Sequence, residues 1–419
     1  MYWKNLDNKR VGIWGMGREG QAVRQALSCH APGATIIEIG EDNTADIKVC
    51  DVVVKSPGVS LYRPEIQAAL QQGITITSGT NLYFANKKSS VFVVAVTGTK
   101  GKSTTSALLA HTLQFLGQSV VLGGNIGKPL LDFVDETPDI LVAELSSYQC
   151  ADFSGRPNIG ILTNLYPEHL QWHGSHERYY QDKCRMIRSA ERAILNENDK
   201  TTKALNPVKN PVWFNAPAGM HVQDDMFYDG ETALFPVSCL TAPGIHNAWN
   251  ACAVLAVVKE LGFEPCRCAT PFSTFQPLPH RLQILGTMHG LTYVDDSIST
   301  TPETAMAALR ALDKGGDITL LAGGFDRGQD YTNLVDLMKE HRDKWRLVTL
   351  PDTGTRLGQM AQQAGIETVP TSDMPTAVSI AQHITPIGGV ILLSPAAPSY
   401  NMYRNFEERG LDFKHWSGV

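Results

Sequence analysis

With 419 residues, 43% of them hydrophobic, the chain is long enough for two or three domains, each with its own core. Its 36 Lys and Arg against 42 Asp and Glu leave a net charge of -6, which excludes a broad phosphate-tracking surface and predicts no nucleic-acid partner. No apolar run approaches a membrane span, and Met1-Tyr2-Trp3-Lys4-Asn5 lacks the apolar core of a signal peptide. The eight cysteines are scattered without a CxxC pair, and the closest two, Cys266 and Cys268, fit neither a zinc nor a redox spacing. Free thiols in a reducing cytoplasm are expected.

The first segment opens on a strand, Arg10 to Trp14, that runs into Gly15-Met16-Gly17-Arg18-Glu19-Gly20 and a helix to about Ser28. GxGxxG directly after a strand is the context of a dinucleotide fold. Glu38, closing the strand from Ala34, stands about where a ribose-binding acid would sit; taken alone, the pattern leaves NAD(P) and other nucleotides equally open. Asp51 to Lys55 is another strand, and it turns at Ser56-Pro57-Gly58. Several loops thus converge at strand C-termini, where open parallel sheets bind ligands. Asn86 to Ser90 is short and polar, a plausible linker.

The second segment carries the strongest signal. Val91 to Val96 reads as a buried strand, followed by Thr97-Gly98-Thr99-Lys100-Gly101-Lys102-Ser103-Thr104 and a helix from Thr105 to Leu116. Such a loop turns backbone N–H groups and a helix N-terminus toward an anion; Lys102 adds a charge for the outer phosphates, and Ser103 a hydroxyl suited to Mg²⁺. The full P-loop spacing wants a glycine where Val96 stands, so this is a shortened variant. Asp139 to Glu144 is a strand ending in an acid, which beside a phosphate loop holds the nucleotide's metal directly or through water. Ile159 to Thr163 then feeds Asn164-Leu165-Tyr166-Pro167-Glu168-His169.

His169 and His173 are four apart, yet Glu168 precedes the first histidine instead of following it, against the zinc-protease pattern. His169 beside a phosphate site reads as a Mg²⁺ ligand or phosphate donor. Lys183 and Arg185, in a helix from Glu177 to Arg188, read locally as solvated charges. A third segment begins near Pro279, with strands at Leu291–Asp295, Asp317–Leu321, Arg346–Leu350 and Val390–Leu393. The alternation predicts a third parallel α/β unit. Its polar turns, at residues 296–300, 323–328 and 394–399, each follow a strand.

The ordered set TGTKGKST, GGNIG (123–127), ELSSYQ (144–149), NLYPEHLQWHGS (164–175), GIHN (244–247), HR (280–281), DDS (295–297) and NFEERG (405–410) resembles the Mur ligase family over nearly the whole chain. That resemblance implies an α/β fold of three domains: a Rossmann-like UDP-sugar domain (1–88), a central P-loop ATPase domain (89–278) and a C-terminal Rossmann-like domain (279–419). It implies an ATP-dependent ligase of peptidoglycan synthesis that joins glutamate to UDP-N-acetylmuramoyl-L-alanine through an acyl phosphate, a cytoplasmic monomer by expectation. The uridine diphosphate would lie at Gly15, Gly17, Gly20, Ser56, Pro57 and Gly58, with Asn125 on the muramoyl-alanine end. ATP would contact Gly98, Thr99, Lys100, Gly101, Lys102, Ser103, Thr104, Asn247, Arg281 and Asp296, with Arg281 near the γ-phosphate.

Two Mg²⁺ ions are implied, held among Ser103, Glu144, His169 and Lys183. Lys183 matches the family lysine that becomes carbamylated, which replaces the solvated-charge reading. Lys102, His169, Lys183 and Arg281 would form the catalytic set. Thr300, Arg327, Ser399 and Phe406 match glutamate-pocket positions. Most of the family adds D-glutamate and reads DSKATN where this chain reads Asp296-Ser297-Ile298-Ser299-Thr300-Thr301. Ile298 cannot pair with a carboxylate as that lysine does, and Arg327 in GGFDRG offers a bidentate substitute. GREG, DSISTTP and GGFDRG together resemble the subgroup that adds L-glutamate. Folylpolyglutamate synthase shares the ligase core but lacks a domain ahead of the phosphate loop; an NAD(P) oxidoreductase would leave Lys102, Glu144 and Lys183 without a task, and a silent nucleotide-binding scaffold would not keep them.

Overall fold

The computed structural model describes all 419 residues, which form two compact units, Met1–Leu240 with His246–Phe275 and Thr241–Ile245 with Gln276–Val419. Within the first unit, β1 (Arg10–Trp14), β2 (Thr35–Ile39), β3 (Val52–Lys55) and β4 (Thr75–Ser78) make a parallel sheet in the order β2-β1-β3-β4. A second parallel sheet contains β5 (Phe92–Thr97), β6 (Val120–Gly124), β7 (Ile140–Glu144), β8 (Ile159–Leu162), β9 (Arg192–Asn196) and β10 (Val212–Phe214), ordered β10-β9-β8-β5-β7-β6. The strands β7 and β8 are buried at every residue and β5 at all but Phe92, as expected of a parallel sheet covered on both faces.

The polar stretch 86–90 does not separate two cores. Leu6, Val11, Val23 and Leu82 from the first sheet's layer pack in one cluster with Leu131, Leu141, Leu145 and Cys150 from the second. A small antiparallel sheet of β11 (Met220–Gln223), β12 (Met226–Asp229) and β13 (Thr232–Pro236) completes this unit. All eight cysteines are free.

The second unit is a six-stranded sheet of β14 (Gln283–Met288), β15 (Leu291–Asp295), β16 (Ile318–Gly324), β17 (Trp345–Asp352), β18 (Thr368–Pro370) and β19 (Val390–Leu393), ordered β14-β15-β19-β16-β17-β18. It corrects the expectation of a wholly parallel unit, because β14 pairs antiparallel with β15. Their connection is the two-residue turn His289-Gly290, both at positive φ (52° and 77°), which fits a hairpin. The order places β15, β19 and β16 side by side, so the loops after them share one edge. Gly323 N donates to Pro395 O at 2.9 Å and Phe325 N to Pro398 O at 2.9 Å, fastening two of those loops together.

Candidate active site

The same logic operates in the central sheet, where β5 lies between β7 and β8. The loops beyond these three strands carry TGTKGKST, ELSSYQ and NLYPEH. Gly98 (φ 146°) and Gly101 (φ 82°) hold conformations that side chains rarely adopt. Space forbids a side chain too: a Cβ on Gly98 would lie 1.9 Å from Thr163 Oγ1, and one on Gly101 2.5 Å from Asn250 Oδ1. Asn250 is one turn beyond Asn247 on the buried helix Ile245–Glu260, which seats that helix against the phosphate loop. Thr99 is pinned from three sides, by Asn164 O to its amide (3.0 Å), by Tyr166 N (2.9 Å) and by the Tyr179 hydroxyl (2.8 Å). The Lys100 ammonium pairs with Glu168 at 2.5 Å, so its side chain is committed to the neighbouring loop. The helix begins at Lys102, three residues earlier than expected, placing Lys102, Ser103 and the buried Thr104 in its first turn.

Lys183 is 2% exposed, so the reading of it as a solvated charge is wrong, while Arg185 on the same helix His176–Ser189 is exposed. The helix turns its Tyr179, Lys183 and Met186 side inward, and Lys183 Nζ donates to Gly98 O at 2.5 Å. Lys102 Nζ donates to that same oxygen at 3.0 Å and to Thr99 O at 2.9 Å. Burial first, and the Lys102 charge second, push the Lys183 amine down to about 7. An amine with that proton affinity is substantially neutral at physiological pH and can add to carbon dioxide.

Glu144 is 1% exposed; its Oε1 accepts from Asn125 Nδ2 at 2.7 Å, and its Oε2 is buried with no hydrogen-bond donor. A buried carboxylate oxygen left without a partner costs free energy unless a cation or donor reaches it. A carboxylate oxygen in that position is a hard donor of the kind Mg²⁺ accepts. His169 is left-handed (φ 54°), lies against Tyr148 with ring centroids 5.0 Å apart, and is pushed toward its neutral form chiefly by burial. His173 is not its partner in a zinc site. It is fully buried, with Nδ1 2.6 Å from Asp182 and Nε2 3.0 Å from Ser147 Oγ, so both ring nitrogens are used.

In the first sheet, Ser56 Oγ donates to Gly15 O at 2.6 Å, joining the loops after β1 and β3. A Cβ on Gly20 would come within 2.1 Å of Gly15 O, whereas Gly17 faces open space. Gly58 O accepts from Trp172 Nε1 at 3.1 Å, tying the Ser56-Pro57-Gly58 turn to the central sheet's layer. Glu38 is not poised at a strand end: it lies inside β2 and pairs with Arg24 at 2.7 Å.

In the second unit, Arg281 follows a buried His280 that is 2.7 Å from Asp295. Asp296 is buried; its carboxylate accepts from Ser299 Oγ (2.5 Å), Ser394 Oγ (2.7 Å) and Leu282 N (3.1 Å), and burial raises it to about 6. A ribose hydroxyl would therefore compete with donors already in place. Arg327 is exposed and lies over the Tyr400 ring at 5.3 Å, Ser399 is buried, and Phe406 meets His280 edge-on at 6.1 Å. Thr300 is half-buried in the loop after β15. The residue that sequence reasoning passed over is Arg409, 1% exposed, which donates to Ser297 Oγ, Ser297 O and Ala397 O at 2.8–3.1 Å. Its signal was present as the arginine of NFEERG. It holds the loops after β15 and β19 in register.

Residues 96–258 match the Mur ligase middle domain, and residues 280–397 match the Mur ligase glutamate ligase domain. The chain is 39% identical to the UDP-N-acetylmuramoyl-L-alanine--L-glutamate ligase of Xanthomonas axonopodis pv. citri, across 99% of this chain and 96% of that one. The ligase of the same name from Salinispora tropica is 37% identical across 98% and 97%. Among solved structures, UDP-N-acetylmuramate-alanine ligase MurC from Thermotoga maritima shares the fold with a TM-score of 0.63 at 21% identity, covering 98% of this chain and all of that one. MurF ligase from Thermotoga maritima, solved in complex with ADP, has a TM-score of 0.62 at 16% identity over 99% and 95%.

Proposed function

The chain belongs to the Mur ligase family, and from that premise we propose that it joins L-glutamate to UDP-N-acetylmuramoyl-L-alanine at the expense of ATP. The observation that carries the chemistry is the buried Lys183 amine aimed at the phosphate loop. On the family resemblance we assign uridine diphosphate to residues 1–88, ATP to 89–278 and glutamate to 279–419. L-glutamate is preferred over the D-enantiomer because Ile298 replaces the family's carboxylate-pairing lysine, Arg327 stands in GGFDRG, and both relatives above are named for the L-form.

Lys102, with the backbone N–H groups of Gly98, Thr99 and Gly101, neutralises the ATP phosphates so that the alanine carboxylate can approach the γ-phosphorus. That attack breaks the bond to the β–γ bridging oxygen and yields an acyl phosphate and ADP. The amine of glutamate then adds to the activated carbonyl, and phosphate leaves as the amide forms. Mg²⁺, if held by Ser103, Glu144, His169 and the Lys183 carbamate, supplies charge neutralisation at the phosphoryl group. Neutral Lys183 would add to carbon dioxide through its lone pair and release one proton, turning an uncharged amine into an anionic, carboxylate-like ligand. The orphaned Glu144 Oε2 supports the metal assignment. Asn125 is exposed and hydrogen-bonded to Glu144, which supports our assigning it to the muramoyl-alanine end.

No helix is long and apolar enough to cross a membrane, and a cytoplasmic monomer is the form we infer. The test is phosphate release from UDP-N-acetylmuramoyl-L-alanine, ATP, Mg²⁺ and glutamate, omitting each in turn and supplying each glutamate enantiomer separately. Release that requires all four, with L-glutamate preferred, is the expected result. No glutamate-dependent release from either enantiomer would overturn the assignment.

A further inference from the structure

The two residues inside the first glycine loop, Arg18 and Glu19, reach out of their own sheet layer. Arg18 Nη1 donates to Gly127 O at 3.0 Å, and Glu19 Oε1 accepts from Gln149 Nε2 at 3.2 Å. Gly127 closes the turn that presents Asn125; Gln149 ends the stretch that begins with Glu144. Those two stretches are joined to each other, since Asn125 bonds Glu144 through its side chain (2.7 Å) and its amide donates to Glu144 O (2.8 Å). Gln149 is 2% exposed, and the other atom of the same carboxamide, Oε1, accepts from Ser146 N at 2.9 Å and Ser146 Oγ at 3.0 Å. Its side chain is therefore a rigid strut between the short helix Ser147–Ala151 and the helix Arg18–His30.

Glu19 itself is mostly buried, with Asp132 and Arg18 as its charged neighbours and Gly79 packed close to its Oε2; a Cβ on Gly79 would lie 3.3 Å from that oxygen. We propose that the Glu19–Gln149 contact, braced by Arg18–Gly127, is a positioning latch that sets the Asn125 and Glu144 loops from the diphosphate-binding loop.

This rests on the ligase reading above, in which one substrate must span both places. Its diphosphate end lies at Gly15 to Gly20, and its carboxylate must meet the γ-phosphorus beside Lys102. The substrate is long and the reacting distance short, so the offset between the two loops decides whether the carboxylate arrives in line. Misplacement on the order of 1 Å costs about a hundredfold in rate. A latch at the base of both loops fixes that offset before substrate arrives. Neither Glu19 nor Gln149 needs to touch a reacting atom.

The polarity of the contact supplies its test. Assayed above about pH 8, where Glu19 is ionised, Gln149→Glu sets a carboxylate against the Glu19 carboxylate, while keeping an acceptor for Ser146. Glu19→Gln combined with Gln149→Glu restores one donor and one acceptor in reversed order. The full chain is assayed for kcat and for KM of UDP-N-acetylmuramoyl-L-alanine, with ADP binding and the melting temperature measured in parallel. Gln149→Glu should lose about tenfold or more in kcat/KM for the UDP substrate, with ADP affinity unchanged. The swapped pair should return to within about threefold of the parent. Arg18→Ala, at an exposed position, should raise the same KM without moving the melting temperature.

A swapped pair no better than Gln149→Glu, or Arg18→Ala and Glu19→Ala both matching the parent, would overturn the latch. If Gln149→Glu does not fold, those two alanine variants decide the matter. A parent enzyme that releases no phosphate with the UDP substrate fails the ligase reading first, and is told apart from a failed latch by that control.

Discussion

Lys102 and Lys183 donate to one and the same acceptor, the carbonyl oxygen of Gly98, at 3.0 and 2.5 Å. Burial disfavours the charged form of Lys183 first, and the neighbouring Lys102 charge adds to that. With its value lowered to about 7, Lys183 is neutral above that pH and charged below it. Only the neutral amine adds to carbon dioxide, so carbamate formation should fall away as pH drops below 7. Enzyme pre-incubated with bicarbonate at pH 8 should start at full rate, and enzyme held at pH 6 without bicarbonate should show a lag or a reduced rate. Lys183→Ala should lower kcat by two to three orders of magnitude, about what several kcal/mol of lost transition-state stabilisation implies. Bicarbonate should not restore it. Near-normal turnover of that variant would remove Lys183 from the chemistry.

The ends of the central strands were legible because parallel strands buried on both faces read as unbroken apolar runs, as in Val93 to Val96 or Leu141 to Ala143. Lys183 was not legible from its own helix. Its neighbours Asp182 and Arg185 are charged, and burial of Asp182 against Tyr62 and His173 is a tertiary fact that no local pattern encodes. Only the match to an ordered set of motifs moved Lys183 from surface to site. The strand β14 escaped because Gln283 to Met288 has no buried residue and no strong alternation, so a hairpin at His289-Gly290 carried little signal. Glu38 misled for the opposite reason: an acid about twenty residues after GxGxxG is common, and Arg24 accounts for it here.

The phosphate loop should not tolerate a methyl group at Gly98. The added Cβ would sit 1.9 Å from Thr163 Oγ1 in a left-handed-region backbone, and Thr163 is itself held by Lys100 O at 2.6 Å. Relief requires moving β8 or the loop. Gly98→Ala should therefore destabilise the unit by about 2 kcal/mol or more and weaken ADP binding together with it. Gly17→Ala, with no atom within 4 Å of the new Cβ, is the control and should leave the melting temperature unchanged. Equal melting temperatures for the two variants would contradict the close approach of Thr163.

The handedness of the glutamate should be read through Arg327. Its guanidinium is exposed over Tyr400 and makes no carboxylate pair in the unit. If it takes a glutamate carboxylate as a bidentate partner, Arg327→Ala should raise KM for L-glutamate about 10- to 100-fold. The KM for ATP should stay put. Arg327→Lys should recover little of the loss, because a point charge does not replace a fork. An unchanged KM for L-glutamate in Arg327→Ala would remove Arg327 from the pocket.

Glu19 should leave a signature in stability as well as in kinetics. Burial lifts its carboxyl to about 7, with nearby Asp132 adding to the rise and Arg18 opposing it. The folded chain therefore holds this proton more tightly than the unfolded chain, whose value is near 4.5. Between those two values the unfolded state binds fewer protons, so stability falls as pH rises and the penalty is complete above about 7. Glu19→Gln keeps the shape and cannot ionise. It should match the parent at about pH 4 and exceed it at about pH 8 by on the order of 1–2 kcal/mol. Denaturant melts at the two pH values measure the difference directly. A gap that is equal at both would mean that Glu19 carries its charge in the folded chain at little cost.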